Sequence, residues 1–376
     1  MSSESSLMRA TATPLASIFG SGFLVIVPIL AGAAGPYAVV AMAAVCALAY
    51  AVGTVIRFNI RHAEPAIDAG TAPVAAVRRE RAADLALVIA YAISVCLYVR
   101  ILAAFLLGGL GVDTPAGEHF VTVVVVGAIG LVGYTRGLEM LQKLELWALG
   151  LTLVIIVALL TGFGLYDLGV QRAGSLVMPE FPHEDAWTAL TVLGGTLIVV
   201  QGFETTRYLG AEFDADTRIR ACRLSQLTST VVYLAFIALA TPLMHFLGES
   251  VADNALIMLA GKASVLLPVP LVIAAVLSQF SAAVADTLGG GGNLAETTHD
   301  HVDERHAYLL ICGIAVALAA FDTLAILALA SRAFAFYYTL QCLVALPFAR
   351  NATERAGFML VAAALFFITL FAVPAG

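Results

Sequence analysis

Glycine interrupts two long apolar stretches of the sequence, TPLASIFGSGFLVIVPILAG at residues 13–32 and WTALTVLGGTLIVVQGFETTRYLGAE at residues 187–212. Each stretch has the ~20 residues that a helix needs to cross the ~30 Å hydrocarbon core of a bilayer. Glycine costs about 1 kcal/mol relative to alanine in a helix interior. Backbone groups freed by a break in lipid must find protein, water or ligand partners. Two interrupted helices therefore predict a binding site at mid-membrane depth, unless the glycines only allow close helix packing.

The composition is typical of a multi-pass membrane protein. The chain has 376 residues, of which 61% are hydrophobic and 12% charged, and its mean hydropathy is +0.96. Soluble domains carry about 25% charged residues, so this chain has too few charges to cover a water-exposed surface of its size. The net charge of −7 and the lack of a basic block argue against a nucleic-acid partner. The expected surroundings are a lipid bilayer.

Eleven apolar segments predict an all-α membrane protein with about eleven transmembrane helices. They are residues 13–32, 36–58, 83–111, 119–134, 143–166, 187–212, 223–247, 266–294, 307–321, 323–348 and 356–374. The first segment leads straight into further membrane segments, so we interpret it as a transmembrane helix and not as a signal peptide.

The distribution of basic residues predicts the orientation in the membrane, because Lys and Arg favour cytoplasmic loops. With the N-terminus in the cytoplasm, only Arg172 and Lys262 of the 19 Lys and Arg residues fall in outer loops. Arg100 and Arg332 fall within helices, and all the others lie on the cytoplasmic side or its edge. The sequence thus predicts a cell (inner) membrane protein with its N-terminus cytoplasmic and its C-terminus on the outer side.

The pattern of segments also predicts an internal repeat. Residues 13–166 and 187–348 each contain five helices, with an interrupted first helix, a long third helix and a short fourth helix. Because five is odd, the second half must enter the membrane from the opposite side, which gives the inverted repeat found in many secondary transporters. The whole chain is then a single transporter domain, with the helix at residues 356–374 outside the repeat.

Two short motifs resemble a known family. Gly20-Ser21-Gly22-Phe23-Leu24, followed by Pro28, lies in the first helix, and Gly202-Phe203-Glu204, followed by Glu212, lies in the sixth. These motifs resemble those of the amino acid–polyamine–organocation (APC) superfamily, whose fold is the leucine-transporter (LeuT-like) fold. The sequence departs from the family pattern in lacking an aromatic residue just before the sixth-helix glycine and a lysine in the middle of the fifth helix.

The resemblance implies a substrate site made largely of backbone. In that family the first-helix glycines hold a substrate carboxylate through N–H groups, and the sixth-helix break holds an amino group through carbonyls. Carried over to this sequence, the site residues are Gly20, Ser21, Gly22, Val200, Gln201, Gly202 and Phe203.

Four ionisable residues, Arg100, Glu204, Asp286 and Arg332, fall inside predicted helices. Each costs about 2.5–3.5 kcal/mol at the bilayer centre on insertion scales, so each is expected to face protein or water. In a functional interpretation, Asp286 or Glu204 carries a coupling proton and Arg100 anchors the substrate. In a structural interpretation, the charges form ion pairs that fix helix register, and we favour this for Arg332.

Hydroxyl and histidine residues raise the question of bound cations. Ser278 and Ser281 could give oxygen ligands to a sodium ion against carbonyls of helix 1, or could bond to backbone instead. Residues 299–306, HDHVDERH, are rich in metal-ligand types but lack an HExxH motif. We predict no metal site and no cofactor beyond a coupling H⁺ or Na⁺. The absence of a GxSxG elbow or phosphate loop argues against an enzyme.

The sequence therefore favours a proton- or sodium-coupled symporter, or an exchanger, for an amino acid or related small organic solute. The solute would bind between helices 1, 3, 6 and 8 near the midplane. Two alternatives are an inorganic cation (potassium-like) transporter on the same fold and a membrane solute sensor that does not transport.

Overall fold

The computed structural model describes residues 3–20, 22–180, 185–248, 252–298 and 301–375, without the side chains of residues 3–5 and 139–146. Within these ranges the chain forms α-helices joined by short loops. The helices are α1 (Ser3–Gly20), α2 (Ile26–Ala34), α3 (Ala38–Phe58), α4 (Glu64–Asp68), α5 (Val74–Leu110), α6 (Pro115–Arg136), α7 (Glu139–Arg172), α8 (Ala186–Gly194), α9 (Ala215–Ala240), α10 (Ala255–Ala263), α11 (Pro268–Thr297), α12 (Glu304–Leu318), α13 (Thr323–Ala345) and α14 (Ala352–Phe371).

Tighter and wider helical turns join or extend several of these helices. A π-helical turn, Asn59–Ala63, links α3 to α4. Two 3₁₀ segments, Leu197–Val200 and Phe203–Leu209, follow α8. The second of these, called the 6b segment below, continues toward α9.

Eight helices of the described chain are long and apolar enough to cross a membrane, as an all-α membrane fold requires. Helices α8, with nine residues, and α12, with 15 residues, are not among the eight, nor is α1, whereas α2 is counted with α3 in the single span Ile26–Asp68. The count of eleven transmembrane helices therefore stays a prediction, as do the repeat boundaries at 13–166 and 187–348.

The two predicted helix breaks are present, and glycine is required at both. Gly22 has φ 153° and Gly202 has φ 123°, in the region that L-residues with a side chain rarely adopt. A Cβ atom on Gly202 would lie 2.6 Å from Ser17 Oγ and 2.7 Å from the Ile18 backbone nitrogen. A Cβ atom on Gly22 would lie 2.8 Å from Val199 Cγ2. The two breaks therefore pack directly against each other.

Helices α5 and α11 form the centre of the bundle and pack along each other. Helix α5 has 37 residues and begins at Val74, nine positions before the predicted start at residue 83. The prediction started the helix after the charged run 78–81. Arg and Glu are good helix formers, so the helix begins before the apolar region. Helix α10 lies where no helix was predicted, because its nine residues are too few to span a membrane.

Candidate functional site

A cavity of about 1170 Å³ enters the bundle from the end at which Arg61, Arg207 and Arg218 lie, called the arginine-rich end below. Its lining runs from the exposed Asp68 to the buried Asp286. The lining comes from α1, α4, α5, α7, the 6b segment, α9, α11 and α12. These elements include the first, third, sixth and eighth helices of the predicted order, between which we expect the solute.

The cavity reaches the level of the α1 break. Ala282 lines the cavity, and its Cβ atom is 3.0 Å from the position of a Cβ on Gly20. Gly20 therefore lies close to the inner limit of the cavity, as does Gly202, on which a Cβ would meet Ser17 of the lining. The lining itself includes none of the predicted backbone residues Gly20, Gly22, Val200, Gln201, Gly202 and Phe203. Ser21 lies outside the described residues, so its assignment stays a prediction.

Side chains of three other helices hold the backbone groups that the breaks release. Tyr233 Oη donates to the carbonyls of Ile18 (3.1 Å) and Val199 (2.7 Å). Gln279 Nε2 donates to the carbonyl of Gly20 at 2.9 Å. Because freed backbone groups in lipid must be satisfied, these hydrogen bonds explain how the breaks persist.

Ser331 makes the same kind of contact at the start of the second break. Its Oγ donates to the Gly195 carbonyl at 2.6 Å and accepts from the Ile198 N–H at 3.1 Å. The chain between α8 and the 6b segment is therefore fixed from α13.

Glu204 is fully buried, with no exposed surface, directly after the second break. One carboxylate oxygen, Oε2, accepts from the Gly202 N–H at 2.8 Å and from Tyr338 Oη at 2.6 Å. The other oxygen has no hydrogen-bond partner in the described structure. Phe203 stacks on Tyr338 with ring centroids 5.4 Å apart. Both partners of the carboxyl are neutral, so an ionised Glu204 would be costly there.

Asp286 lies in the lining of the cavity and is buried. Ser94 Oγ of α5 donates a hydrogen bond to Asp286 Oδ2. One turn further along α5, Tyr98 Oη accepts from Gln201 Nε2 at 3.1 Å. Helix α5 therefore positions both the predicted coupling carboxylate and the glutamine of the sixth-helix break.

Ser278 and Ser281 also line the cavity. Ser278 Oγ donates to the Ala275 carbonyl of its own helix at 3.2 Å, which is the backbone-bonded alternative considered for it. The Gly20 carbonyl, at the end of α1, accepts from Gln279. Both the Ser278 hydroxyl and the Gly20 carbonyl therefore have hydrogen-bond partners within the protein.

Arg100 does not line the cavity but forms an ion pair with Glu118 at 3.0 Å, with both side chains about nine-tenths buried. Along α5, Arg100 lies about 30 Å from Glu80, which lines the cavity, at a rise of 1.5 Å per residue. The structure therefore supports the ion-pair interpretation of Arg100, and it does not bring this residue together with the other predicted substrate-binding residues.

Arg332 has a different partner from the one expected. Its Nε donates to the Thr369 carbonyl at 2.8 Å, near the C-terminal end of α14. The partners that the described residues give Arg332 are thus carbonyls near a helix C-terminus, where the macrodipole favours a cation, and its role in an ion pair stays a prediction.

Comparison with known proteins settles the family. Residues 2–372 match a family described as "APC superfamily transporter". The chain belongs to the APC superfamily. It is therefore a transporter and a multi-pass membrane protein. A relative described as an uncharacterized protein of Aquifex aeolicus is 37% identical over 373 residues, which cover 97% of this chain and 90% of the relative.

Solved structures of a manganese transporter of Eremococcus coleocola are similar to this APC transporter. A mutant form has a TM-score of 0.60 at 12% identity, and covers 98% of this chain and 86% of its own. A complex with an aromatic bis-isothiourea substituted compound has a TM-score of 0.59 at 14% identity and the same coverage. At such low identity the likeness shows the shared fold.

A network of buried charges at the arginine-rich end of the APC transporter was not predicted. Arg207 of the 6b segment contacts Glu64 at 3.0 Å and Glu80 at 2.8 Å. Arg218 of α9 contacts Glu64 at 2.9 Å. All four side chains also line the large cavity. They tie the 6b segment to α4, α5 and α9.

The residues that hold the breaks or position Asp286 were also missed. They are Ser94, Tyr98, Tyr233, Gln279, Ser331 and Tyr338. Each is a polar residue in an apolar helix, which is the signal that could have pointed to them.

The histidine-rich run at 299–306 begins outside the described residues, which omit 299 and 300. Asp303 caps α12 by accepting from the His306 N–H, and a hydrogen bond from the His306 side chain lowers the pKa of Asp303. Among the described side chains, no group of three or more His, Cys, Asp or Glu residues could hold a metal ion. The absence of a metal site stays a prediction.

Proposed function

We propose that this protein is a secondary active transporter, a symporter or exchanger, for an amino acid or a related small organic solute that carries an amine. The observation that carries the proposal is the charge of the cavity. Its lining holds seven carboxylates and three guanidinium groups: Glu64, Asp68, Glu80, Asp84, Asp286, Glu296 and Glu304 against Arg81, Arg207 and Arg218. An excess of one charge in a cleft concentrates solutes of the opposite charge.

The solute would bind where the cavity meets the helix breaks. The N–H and carbonyl groups near Gly20, Ser21 and Gly22 would face its carboxylate, and those of residues 200–203 its amine. Support comes from the direct packing of the two breaks and from the approach of the cavity to Gly20 past Ala282. The arrangement suits alternating access, because the half-helices on either side of a break can move separately.

Asp286 is our candidate for the coupling proton. It faces the cavity, from which a proton can arrive, and Ser94 positions its carboxyl. Glu204 would act differently, by fixing the N–H of Gly202 at the break.

We favour H⁺ over Na⁺ as the coupling ion. A sodium ion at the end of α1 would need the Gly20 carbonyl and the serine hydroxyls of α11. Gly20 instead accepts from Gln279, and Ser278 bonds to its own helix. A sodium ion would have to share the Gly20 carbonyl with Gln279, whereas Asp286 faces the cavity as a ready proton acceptor.

An inorganic cation transporter is the second candidate, because an acidic cavity would also attract a metal ion. Because the fold is similar to that of a manganese transporter, Mn²⁺ is one ion to test for this alternative. A solute sensor that binds without transport is the third. If the protein lies in the cell (inner) membrane with its N-terminus in the cytoplasm, the arginine-rich end faces the cytoplasm, and the cavity would open to that side.

The direct test is uptake by proteoliposomes of purified protein. A panel of amino acids, amines and small carboxylates, with Rb⁺ and Mn²⁺ as separate arms, is assayed under an imposed pH gradient and then a sodium gradient. We expect saturable uptake of an amine-bearing solute that the pH gradient drives and the sodium gradient does not. Cation flux alone would favour the second candidate, and binding without flux the third. No organic flux under either gradient contradicts the proposal.

A further inference from the structure

A second, smaller cavity lies at the arginine-rich end, on the outside of the bundle. Its volume is about 370 Å³, and it is lined by Arg61, Asp216, Ile219, Arg220 and Arg223. It shares no lining residue with the large cavity. Arg61 follows α3 in the π-helical turn, and the other four lie in the first turns of α9.

The small cavity has an excess of positive charge. Arg61 forms an ion pair with Asp216. Arg220 and Arg223 are exposed, and neither has an acidic partner among the ion pairs of the described chain. Three guanidinium groups therefore face one carboxylate. Guanidinium groups suit phosphate because they can donate two parallel hydrogen bonds to it.

A fourth arginine adds to the field. Arg57 lies one helical turn before Arg61 and is buried. Its partners are neutral: Gln226 Oε1 at 2.6 Å, Thr54 Oγ1 at 2.7 Å, and the ring of Tyr50, whose centroid is 4.8 Å away. Among the described residues, no carboxylate forms an ion pair with Arg57.

An apolar surface continues from the cavity along α9. Leu224, Leu227 and Val231 are exposed and follow Arg220 and Arg223 at spacings of three or four, so they share a helix face. On a membrane helix such a face contacts acyl chains. In a membrane, this arrangement would place the small cavity at the depth of lipid head groups, with Leu224, Leu227 and Val231 beside it facing hydrocarbon.

We propose that this cavity binds the phosphate head group of an anionic phospholipid in the leaflet at the arginine-rich end. The tendency of basic residues to lie on one side of a membrane explains the presence of arginines there, but not their convergence from two helices on one cavity. Arg78 and Arg305 at the same end are exposed and do not line either cavity. Basic pockets between membrane helices are a known way of holding anionic lipid.

The test is lipid binding to the full-length protein in detergent, measured by native mass spectrometry. The probes are phosphatidylglycerol, phosphatidylcholine and inorganic phosphate. We expect phosphatidylglycerol to bind more tightly than phosphatidylcholine, and the double variant Arg220→Ala/Arg223→Ala to bind it roughly thirtyfold more weakly. Asp216→Asn should bind it several-fold more tightly, because the competing carboxylate is gone.

The matched control is Arg78→Ala/Arg305→Ala, which removes the same charge from the same end and should keep its affinity within about twofold. An equal loss in the control would overturn the proposal, as would displacement of the lipid by inorganic phosphate at equal concentration. If the double alanine variant does not fold, Asp216→Asn decides: unchanged affinity for phosphatidylglycerol contradicts the site.

Discussion

The two ends of α5 carry buried charges that are used in different ways. At one end Arg100 is closed in a pair with Glu118, and Asn254 before α10 bonds to Asp113 and to the Ala104 carbonyl. At the arginine-rich end Glu80 pairs with Arg207 beside a cavity of about 1170 Å³. We call the first the sealed end and the second the open end: the same central helix carries a buried ion pair at one end and lines a cavity at the other, an asymmetry that the proposed alternating access would need.

The largest expected effect is at the point where the two breaks meet. Gly202→Val should reduce uptake to background, because a Cβ there would lie 2.6 Å from Ser17 Oγ and the φ of 123° disfavours valine. The measurement is proteoliposome uptake. The control is Gly127→Val in α6, where nothing lies within 4 Å of a new Cβ. Normal uptake by a correctly inserted Gly202→Val protein would show that the breaks are not the site.

The second largest effect is expected from removing the Arg100–Glu118 ion pair at the sealed end. Arg100→Ala leaves Glu118 buried without its partner, and breaking a buried pair costs about 3–5 kcal/mol. We expect a large fall in Tm in a thermal-shift assay. Replacing both residues, Arg100→Met/Glu118→Leu, should recover much of the stability. If the double variant is stable but has lost solute binding, Arg100 is a substrate anchor after all.

At the open end, Asp286→Asn should uncouple transport from protons. Accumulation driven by a pH gradient should fall at least about tenfold, since removing a group essential to a step typically costs that much or more. Exchange of solute at equal pH should persist. The matched control is Glu304→Gln, an exposed carboxylate at the mouth of the same cavity. Unchanged pH dependence in Asp286→Asn would refute the coupling role.

The smallest expected effect concerns two aspartates outside the membrane-spanning segments. Burial raises the pKa of Asp253, near the sealed end, so its ionised form opposes folding above that pKa and this cost disappears as the pH falls. Asp253→Asn should therefore raise Tm slightly at pH 8 and change it less at pH 5.

Asp214, the cap of α9 at the arginine-rich end, has a pKa shifted in the opposite direction. A hydrogen bond from the Thr217 N–H lowers the pKa of Asp214, so its stabilisation is complete above the ordinary pKa and is lost as the pH falls below it. Asp214→Asn should not raise Tm at pH 8. The same Tm shift in both variants at pH 8 would contradict this difference between the two ends.

Much of the fold could be predicted because it depends on local properties of the sequence. Glycine at 20, 22 and 202 marks the breaks through a backbone preference that each residue carries by itself. Apolar length marks the long helices. Helix α10 escaped prediction because a helix of nine residues leaves no signal of membrane-spanning length.

The candidate site was less predictable because its contacts join distant residues. Asp286 was singled out by its place in an apolar helix, but its donor Ser94 lies 192 positions away. Arg207 and Glu64 are 143 positions apart. Arg100 was predicted to bind substrate because its own helix offers no partner for its charge. The structure gives it Glu118 of the neighbouring helix α6.

In the proposed transport route, solute reaches the helix breaks through the acidic cavity. The described cysteines are all buried, so Ala285→Cys, at a partly exposed position of the cavity wall, would add a single accessible thiol there. Labelling by a membrane-impermeant maleimide, applied from each side of proteoliposomes, measures the claim directly. We predict labelling from the arginine-rich side that a saturating transported amine slows at least about tenfold. Labelling from the other side only, or labelling that no transported solute slows, would contradict it.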